Sequence, residues 1–161
     1  DFGNNALDIA IVYGQPPASP MIVTEKVMPS ESYVPLCSPA LAGQDELKPD
    51  QISSLYLIHC DTTLVSWNDW AARYLREEQD MDRGLHLDRS YMSLKAAMNN
   101  VGVCLDSTLL AYEYLQSGQL VMPFGNKGVS RCAHHLCIPK AKLNQEKVQL
   151  VLSWIKSWLP R

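Results

Sequence analysis

Few residues in this chain have side chains able to ligate, attack or titrate at a useful spacing. Asp1-Phe2-Gly3 matches a kinase metal-binding tripeptide, but no glycine-rich loop, catalytic loop or Lys–Glu pair accompanies it. Cys132, His134, His135 and Cys137 crowd one segment. Zinc needs several ligands converging tetrahedrally, and neighbours on a strand point to opposite faces, so the two histidines do not readily share an ion. One of them is expected in the core or a cleft and the other outside. A nucleophilic cysteine needs a helix N-terminus or an adjacent cation. None of Cys37, Cys60, Cys104, Cys132 and Cys137 occupies a helix N-terminus in this reading. GxSxG, HExxH, GxGxxG and P-loop patterns are absent. Asp80 and Asp82 read as solvated loop carboxylates. Trp67, Trp70 and Tyr74 could stack on a ligand, but their helical spacing reads as core.

Ser90 and Tyr91 remain. They stand at the mouth of a helix predicted from Tyr91 to Asn100, directly after the strand-like "LHLD". A helix N-terminus presents unpaired N–H groups and the positive end of the helix dipole. Following a strand, it should lie at the carboxyl edge of the sheet, where α/β folds bind ligands. Ser90 is then either a plain N-cap or a ligand hydroxyl, and spacing alone does not choose.

The elements around these residues alternate. "ALDIAIVYG" is an apolar run rich in β-branched residues and reads as a strand buried on both faces. Three prolines in "QPPASP" impose a loop. "MIVTEKVM", "SYVPLCS", "LYLIHC", "VGVCL", "QLVMPF" and "AHHLCIP" read as strands, the last ended by Pro139. Ser66 should cap the helix "WNDWAARYLREEQ", and Ser107 the helix "STLLAYEYLQSG", which Gly118 stops. A last helix from about Asn144 carries Val148, Val151, Leu152, Ile155 and Leu159 on one stripe. The alternation predicts α/β with a mainly parallel sheet.

The 161 residues are 47% apolar and 19% charged, which describes a globular chain and not a disordered one. Fourteen Lys and Arg against 17 Asp and Glu give a net charge of -3, the wrong sign for gripping nucleic acid. No run approaches the ~20 apolar residues of a membrane span. Five cysteines, an odd number at irregular spacing, suit free thiols in a reduced cytoplasm. The first residue is Asp1, and an apolar strand begins close behind it. Either a later strand covers it or the natural chain has more before Asp1.

The order of segments carries a resemblance. "LDIAIVYG", "YVPLCSPALAG", "LIHCDTTLVSWNDWA", "DRSYMSLKAAMNNVGVCL", "LQSGQLVMPFG" and the terminal "WIKSWL" resemble, along essentially the whole chain, the effector-binding domain of LysR-type transcriptional regulators. The likeness is to the subgroup of the glycine-cleavage, β-lactamase and D-serine deaminase activators. It implies a two-lobed α/β fold similar to type II periplasmic binding proteins, truncated at the start of the first lobe. Residues 1–31 plus 131–161 would form that partial lobe and residues 32–130 the second. A small effector, a carboxylate or amino acid, would bind between lobes and control the geometry of a DNA-bound homo-oligomer. DNA would be touched only by a helix-turn-helix domain absent from this chain. No cofactor, membrane contact or enzyme activity is implied. Where motifs match, the implied effector positions are Tyr13, Gly14, Thr62, Thr63, Ser90, Tyr91 and His134, and the family tips Ser90 from cap to ligand. The rival readings are a solute-binding protein of the same fold and a small Cys/His hydrolase.

Overall fold

A computed structural model describes residues 7–158 and divides the chain into two compact units, Asp1–Ser30 with Cys132–Arg161, and Glu31–Arg131. Asp1-Phe2-Gly3 and Leu159 lie outside the described residues.

The first unit is organised by one strand. We number strands and helices in chain order: β1 is Ala10–Tyr13, β2 Ile22–Lys26 and β8 His134–Pro139. β8 is central, and both neighbours pair with it antiparallel, Ala10 opposite Cys137 and Ile22 opposite Pro139. α5, Glu146–Trp158, covers one face. Its Val148 and Leu152 pack on Leu136 and Ile138, with Ile9, Val27, Leu143 and Ile155 around them. The apolar stripe thus holds at Val148, Leu152 and Ile155, while Val151 is exposed.

The second unit is built on a five-stranded sheet. β3 is Glu31–Leu36, β4 Leu57–Cys60, β5 Leu85–Leu87, β6 Val103–Ser107 and β7 Val129–Arg131, in the order β5-β4-β6-β3-β7. β5 and β6 run parallel to β4, whereas β6 and β7 run antiparallel to β3. The short α1, Pro39–Ala42, follows β3. α2, Trp67–Tyr74, follows β4; α3, Ser90–Met98, follows β5; and α4, Tyr112–Gln116, follows β6. α3 lays Leu94 and Ala97 on Val34, Leu36, Ile58 and Cys104 of the sheet. These two residues are one helical turn apart, which is why they share a face. On α2, Trp67 and Trp70 are buried, and their indole N–H groups donate to Ile58 O at 3.1 Å and Lys127 O at 2.7 Å. The tryptophans are core, as their spacing implies. Gly84 lies at φ +125, and a Cβ there would run into the Leu57 carbonyl, so only glycine lets the chain enter β5 so close to β4.

The structure corrects several expectations. The sheets are mixed and antiparallel, with parallel pairing confined to β5-β4-β6. β1 is not buried on both faces: Ile11 and Tyr13 are exposed while Ala10 and Val12 are half-buried. α2 stops at Tyr74, short of the acidic "REEQ". "QLVMPF" forms no strand, only a bridge from Val121 to Cys37. Ser107 does not cap α4 but ends β6, where its hydroxyl accepts from Leu109 N–H in the turn that precedes α4.

Candidate functional site

Parallel strands end on a common edge, and in the second unit that edge gathers polar groups. Cys60 ends β4, with Thr62 two residues on. Leu87 ends β5, and α3 opens three residues later at Ser90. Asp106 sits one residue from the end of β6. Cys60 Sγ is 3.4 Å from Thr62 Oγ1 and 3.7 Å from Ser90 Oγ, and Thr62 Oγ1 donates to Asp88 O at 3.2 Å. Ser90 Oγ donates to Asp106 Oδ1 at 3.3 Å. Thr62, Cys60, Ser90 and Asp106 therefore form one connected polar group at the mouth of α3.

Ser90 is not the N-cap. Arg89 holds that position without a side-chain cap, and Ser90 is the first helical residue. Met92 and Ser93 N–H donate to Arg89 O, so the N–H groups of Ser90 and Tyr91 open the helix without a carbonyl of its own turn to bond. The cap reading of the Ser90 hydroxyl falls, because that hydroxyl faces Asp106. Tyr91 stands apart, 65% exposed. Thr63 stays near through its N–H, which donates to Cys60 O at 3.1 Å.

Asp106 is the residue that sequence reading missed. It is 0% exposed, Oδ1 accepts from Ser107 N–H at 2.7 Å as well as from Ser90, and Oδ2 is buried with no hydrogen-bond partner. Burial pushes its carboxyl up to about 6, against the lowering pull of those hydrogen bonds. The signal available was one acid inside the apolar run "VGVCLDS". A cavity of about 160 Å³ opens between the end of β4 and α2, lined by Cys60, Thr63, Val65, Trp67 and Leu105 among others, and of the polar group only Cys60 borders it. Its volume suits a very small ligand.

In the first unit, Tyr13, Gly14 and His134 come together. Tyr13 is paired with His134 across β1 and β8, their rings 5.0 Å apart, and Gly14 at φ +85 donates its N–H to Ala133 O at 2.8 Å.

The alternative chemistries find no geometry. His135 is buried and His134 half-buried, on opposite faces of β8. Among the described residues no group of three or more His, Cys, Asp or Glu could hold a metal. His59 and His86 stack in parallel planes at 4.1 Å, with His86 held by Asp61 and by the Asp82 carbonyl, whose hydrogen bonds favour its charged form. Cys132 Sγ lies 3.6 Å from His135 Nε2, yet His135 Nδ1 has no partner, so no third group orients the ring as a catalytic pair requires. The cysteines are free, and burial pushes the Cys37 thiol up to about 11 and Cys104 well above its ordinary value.

Residues 2–160 match the family of the LysR substrate binding domain. The chain belongs to that family. Among its relatives, the HTH-type transcriptional regulator PerR of Escherichia coli K12 is 35% identical over 98% of the chain and 51% of its own length. DsdC of the same strain is 29% identical over 93% and 50%. The chain spans about half the length of the curated relatives it matches. The LysR fold is matched in solved effector domains: that of AmpR from Pseudomonas aeruginosa aligns at TM-score 0.76 and 22% identity, covering 98% of this chain and 74% of the other. The AmpR effector binding domain of Citrobacter freundii aligns at TM-score 0.76 and 21% identity, covering 98% and 76%. The two-lobed α/β architecture expected of a LysR effector domain is thus the one found. Among the described residues no helix is long and apolar enough to cross a membrane.

Proposed function

We propose that this LysR-family chain is the effector-sensing part of a bacterial transcriptional regulator and that it has no catalytic role. A small carboxylate or amino-acid-like molecule sits at the α3 mouth, its polar groups against the N–H groups that open the helix and against Ser90 and Thr62. Tyr13, Gly14 and His134 are the proposed effector positions of the other unit. The bound effector changes how a homo-oligomer sits on DNA, and a separate helix-turn-helix domain makes the DNA contacts. A ligand achieves this only by binding one arrangement of the protein better than another.

The observation that carries the reading is the convergence of Thr62, Cys60, Ser90 and Asp106 on one sheet edge at the mouth of α3, beside a small cavity that Cys60 borders. That the relatives PerR and DsdC are HTH-type transcriptional regulators supports the regulatory half of the proposal.

Calorimetric titration of the natural gene product that contains this chain tests it. Loss of a hydrogen bond to a charged group is worth ~1.5–3 kcal/mol, so Ser90→Ala should weaken effector binding roughly tenfold or more. Unchanged affinity in both Ser90→Ala and Thr62→Val would move the site elsewhere. The 161-residue chain alone, at charge -3, should show no sequence-specific binding to duplex DNA in an anisotropy titration.

A further inference from the structure

We propose that the effector carries a protonated amine and that Asp106 selects for it. This rests on the reading of the α3 mouth as the effector site. The argument begins with the proton of Ser90. Its hydroxyl donates to Asp106 Oδ1, so what Ser90 offers a ligand is lone pairs, an acceptor. A carboxylate has no hydrogen to give it; an ammonium has three. Charge points the same way. A ligand atom bonded to Ser90 Oγ lies about 5–6 Å from the Asp106 carboxylate, one hydrogen bond beyond the serine. Asp106 repels a negative group there and attracts a positive one, whereas the open end of α3 favours an anion at its N–H groups.

Asp106 itself is unfinished. Its side chain is fully buried, yet Oδ2 has no hydrogen-bond partner. A buried carboxylate without full satisfaction is costly, and structures retain such groups where a ligand or function completes them. Cys60 and Thr62 beside it carry no positive charge, the neighbouring Arg89 pairs with Asp88, and among the described residues no salt bridge engages Asp106. The missing counter-charge is what the effector brings. The N–H groups of Ser90 and Tyr91 remain for its carboxylate, if it has one. The site thus reads a zwitterion with its two ends separated: anion on the backbone of α3, cation on Ser90 and Asp106.

The test compares matched pairs that differ in one group. The natural gene product containing this chain is titrated calorimetrically with the standard amino acids, with glycolate, lactate and glycerate (the hydroxyl analogues of glycine, alanine and serine), and with ethanolamine. The expected result is binding of at least one amine, with its hydroxyl analogue weaker by about tenfold or more, the equivalent of ~1.4 kcal/mol. Asp106→Asn should remove that preference by weakening the amine and leaving the hydroxyl analogue unchanged or tighter. The asparagine keeps an acceptor for Ser107 N–H and relieves a buried charge, so the variant is expected to fold. If a hydroxy acid binds as tightly as its amino acid, or Asp106→Asn leaves their ratio unchanged, the amine assignment fails while the α3 site stands. If Ser90→Ala leaves the affinity of every binding compound unchanged, the α3 site fails and the amine assignment with it. Absence of binding by every amine tested also overturns the assignment.

Discussion

The two units solve the same packing problem with very different resources. The second buries Trp67, Trp70, Tyr33 and Phe124 completely and closes its sheet under α3 and α2. Among the described residues the first has three antiparallel strands and one α-helix, and its core is Leu136, Ile138, Val148 and Leu152. It leaves Ile11, Leu150, Trp154 and Trp158 exposed. Small cores bury a smaller fraction of their surface and are correspondingly marginal. The difference teaches where a precise polar site can be held. The Thr62–Cys60–Ser90–Asp106 group rests on parallel strands whose positions the heavy core fixes, and Asp106 can be kept buried and charged only because that core resists rearrangement.

The most severe way to break this contrast is to hollow the second unit. Trp70 packs edge-on to Trp67 at 5.9 Å and tilted against Tyr74 and Phe124 at 5.3 Å each. Trp70→Ala should cost ~3–5 kcal/mol, a large share of a typical domain's total stability. Denaturant unfolding followed by circular dichroism measures it. A loss under ~1.5 kcal/mol would mean that the core of this unit is not what holds it.

Asp106 gives the next largest effect, of opposite sign. Its carboxyl releases its proton near pH 6 in the folded chain, against an ordinary 3.8. Between those values the folded state holds a proton that the unfolded state has lost. Stability from this group is therefore complete below about pH 3.8 and is lost as pH rises through about 6. Cys60, Cys104 and Glu31 are the other titratable side chains around it, on β4, β6 and β3. Asp106→Asn should raise stability at pH 7.5 by about 2–3 kcal/mol and leave it nearly unchanged at pH 4. Equal effects at both values would show that the carboxylate is not strained by burial.

That residue also marks the boundary of what sequence could disclose. The helices and the tryptophan core follow from spacing, because burial leaves a periodic trace. Direction does not: "AIVY" and "LIHC" look alike, yet β1 is an antiparallel edge and β4 a parallel centre. β1 is apolar on an exposed face too, which pattern reading mistakes for double burial. Spacing left Ser90 open between a cap and a ligand hydroxyl, because serine before an apolar helix is often a cap. The backbone of Arg89 took that role, and the hydroxyl was left to a strand far along the chain. An aspartate in a strand gives no periodic signal of which strand it will face.

Caps supply the middle of the scale and separate two serines that look alike in sequence. Ser66 closes a true capping box: its hydroxyl accepts from Asp69 N–H at 3.1 Å and Asp69 Oδ2 accepts from Ser66 N–H at 2.8 Å. Those bonds hold the Asp69 carboxyl below its ordinary range. Ser66→Ala should cost ~1 kcal/mol, and this contribution should fade as acid protonates Asp69. Ser90→Ala removes no cap but takes a hydrogen bond from the buried Asp106 carboxylate, so it should cost ~1.5 kcal/mol or more at about pH 7.5 and less at about pH 4, where Asp106 is protonated. Thermal melts of both variants at the two pH values check the assignment. A loss for Ser90→Ala that is the same at both would restore the cap reading.

The smallest expected effect concerns the first unit and is the sharpest probe of the contrast. Trp154 is 61% and Trp158 74% exposed, and their rings pack edge to face at 6.4 Å. An exposed aromatic pair is worth little to folding, since most of each ring keeps its water in both states. Trp154→Ala should therefore change stability by no more than about 0.5 kcal/mol, although tryptophan is the largest side chain there is. The same substitution at Trp70 is expected to cost several times more, which isolates burial from residue type. Measured in the natural gene product, a loss above ~1.5 kcal/mol for Trp154→Ala would mean that this face of α5 is covered in solution. The first unit would then have a core comparable to that of the second, and the account of why the polar site belongs to the second unit would lose its physical basis.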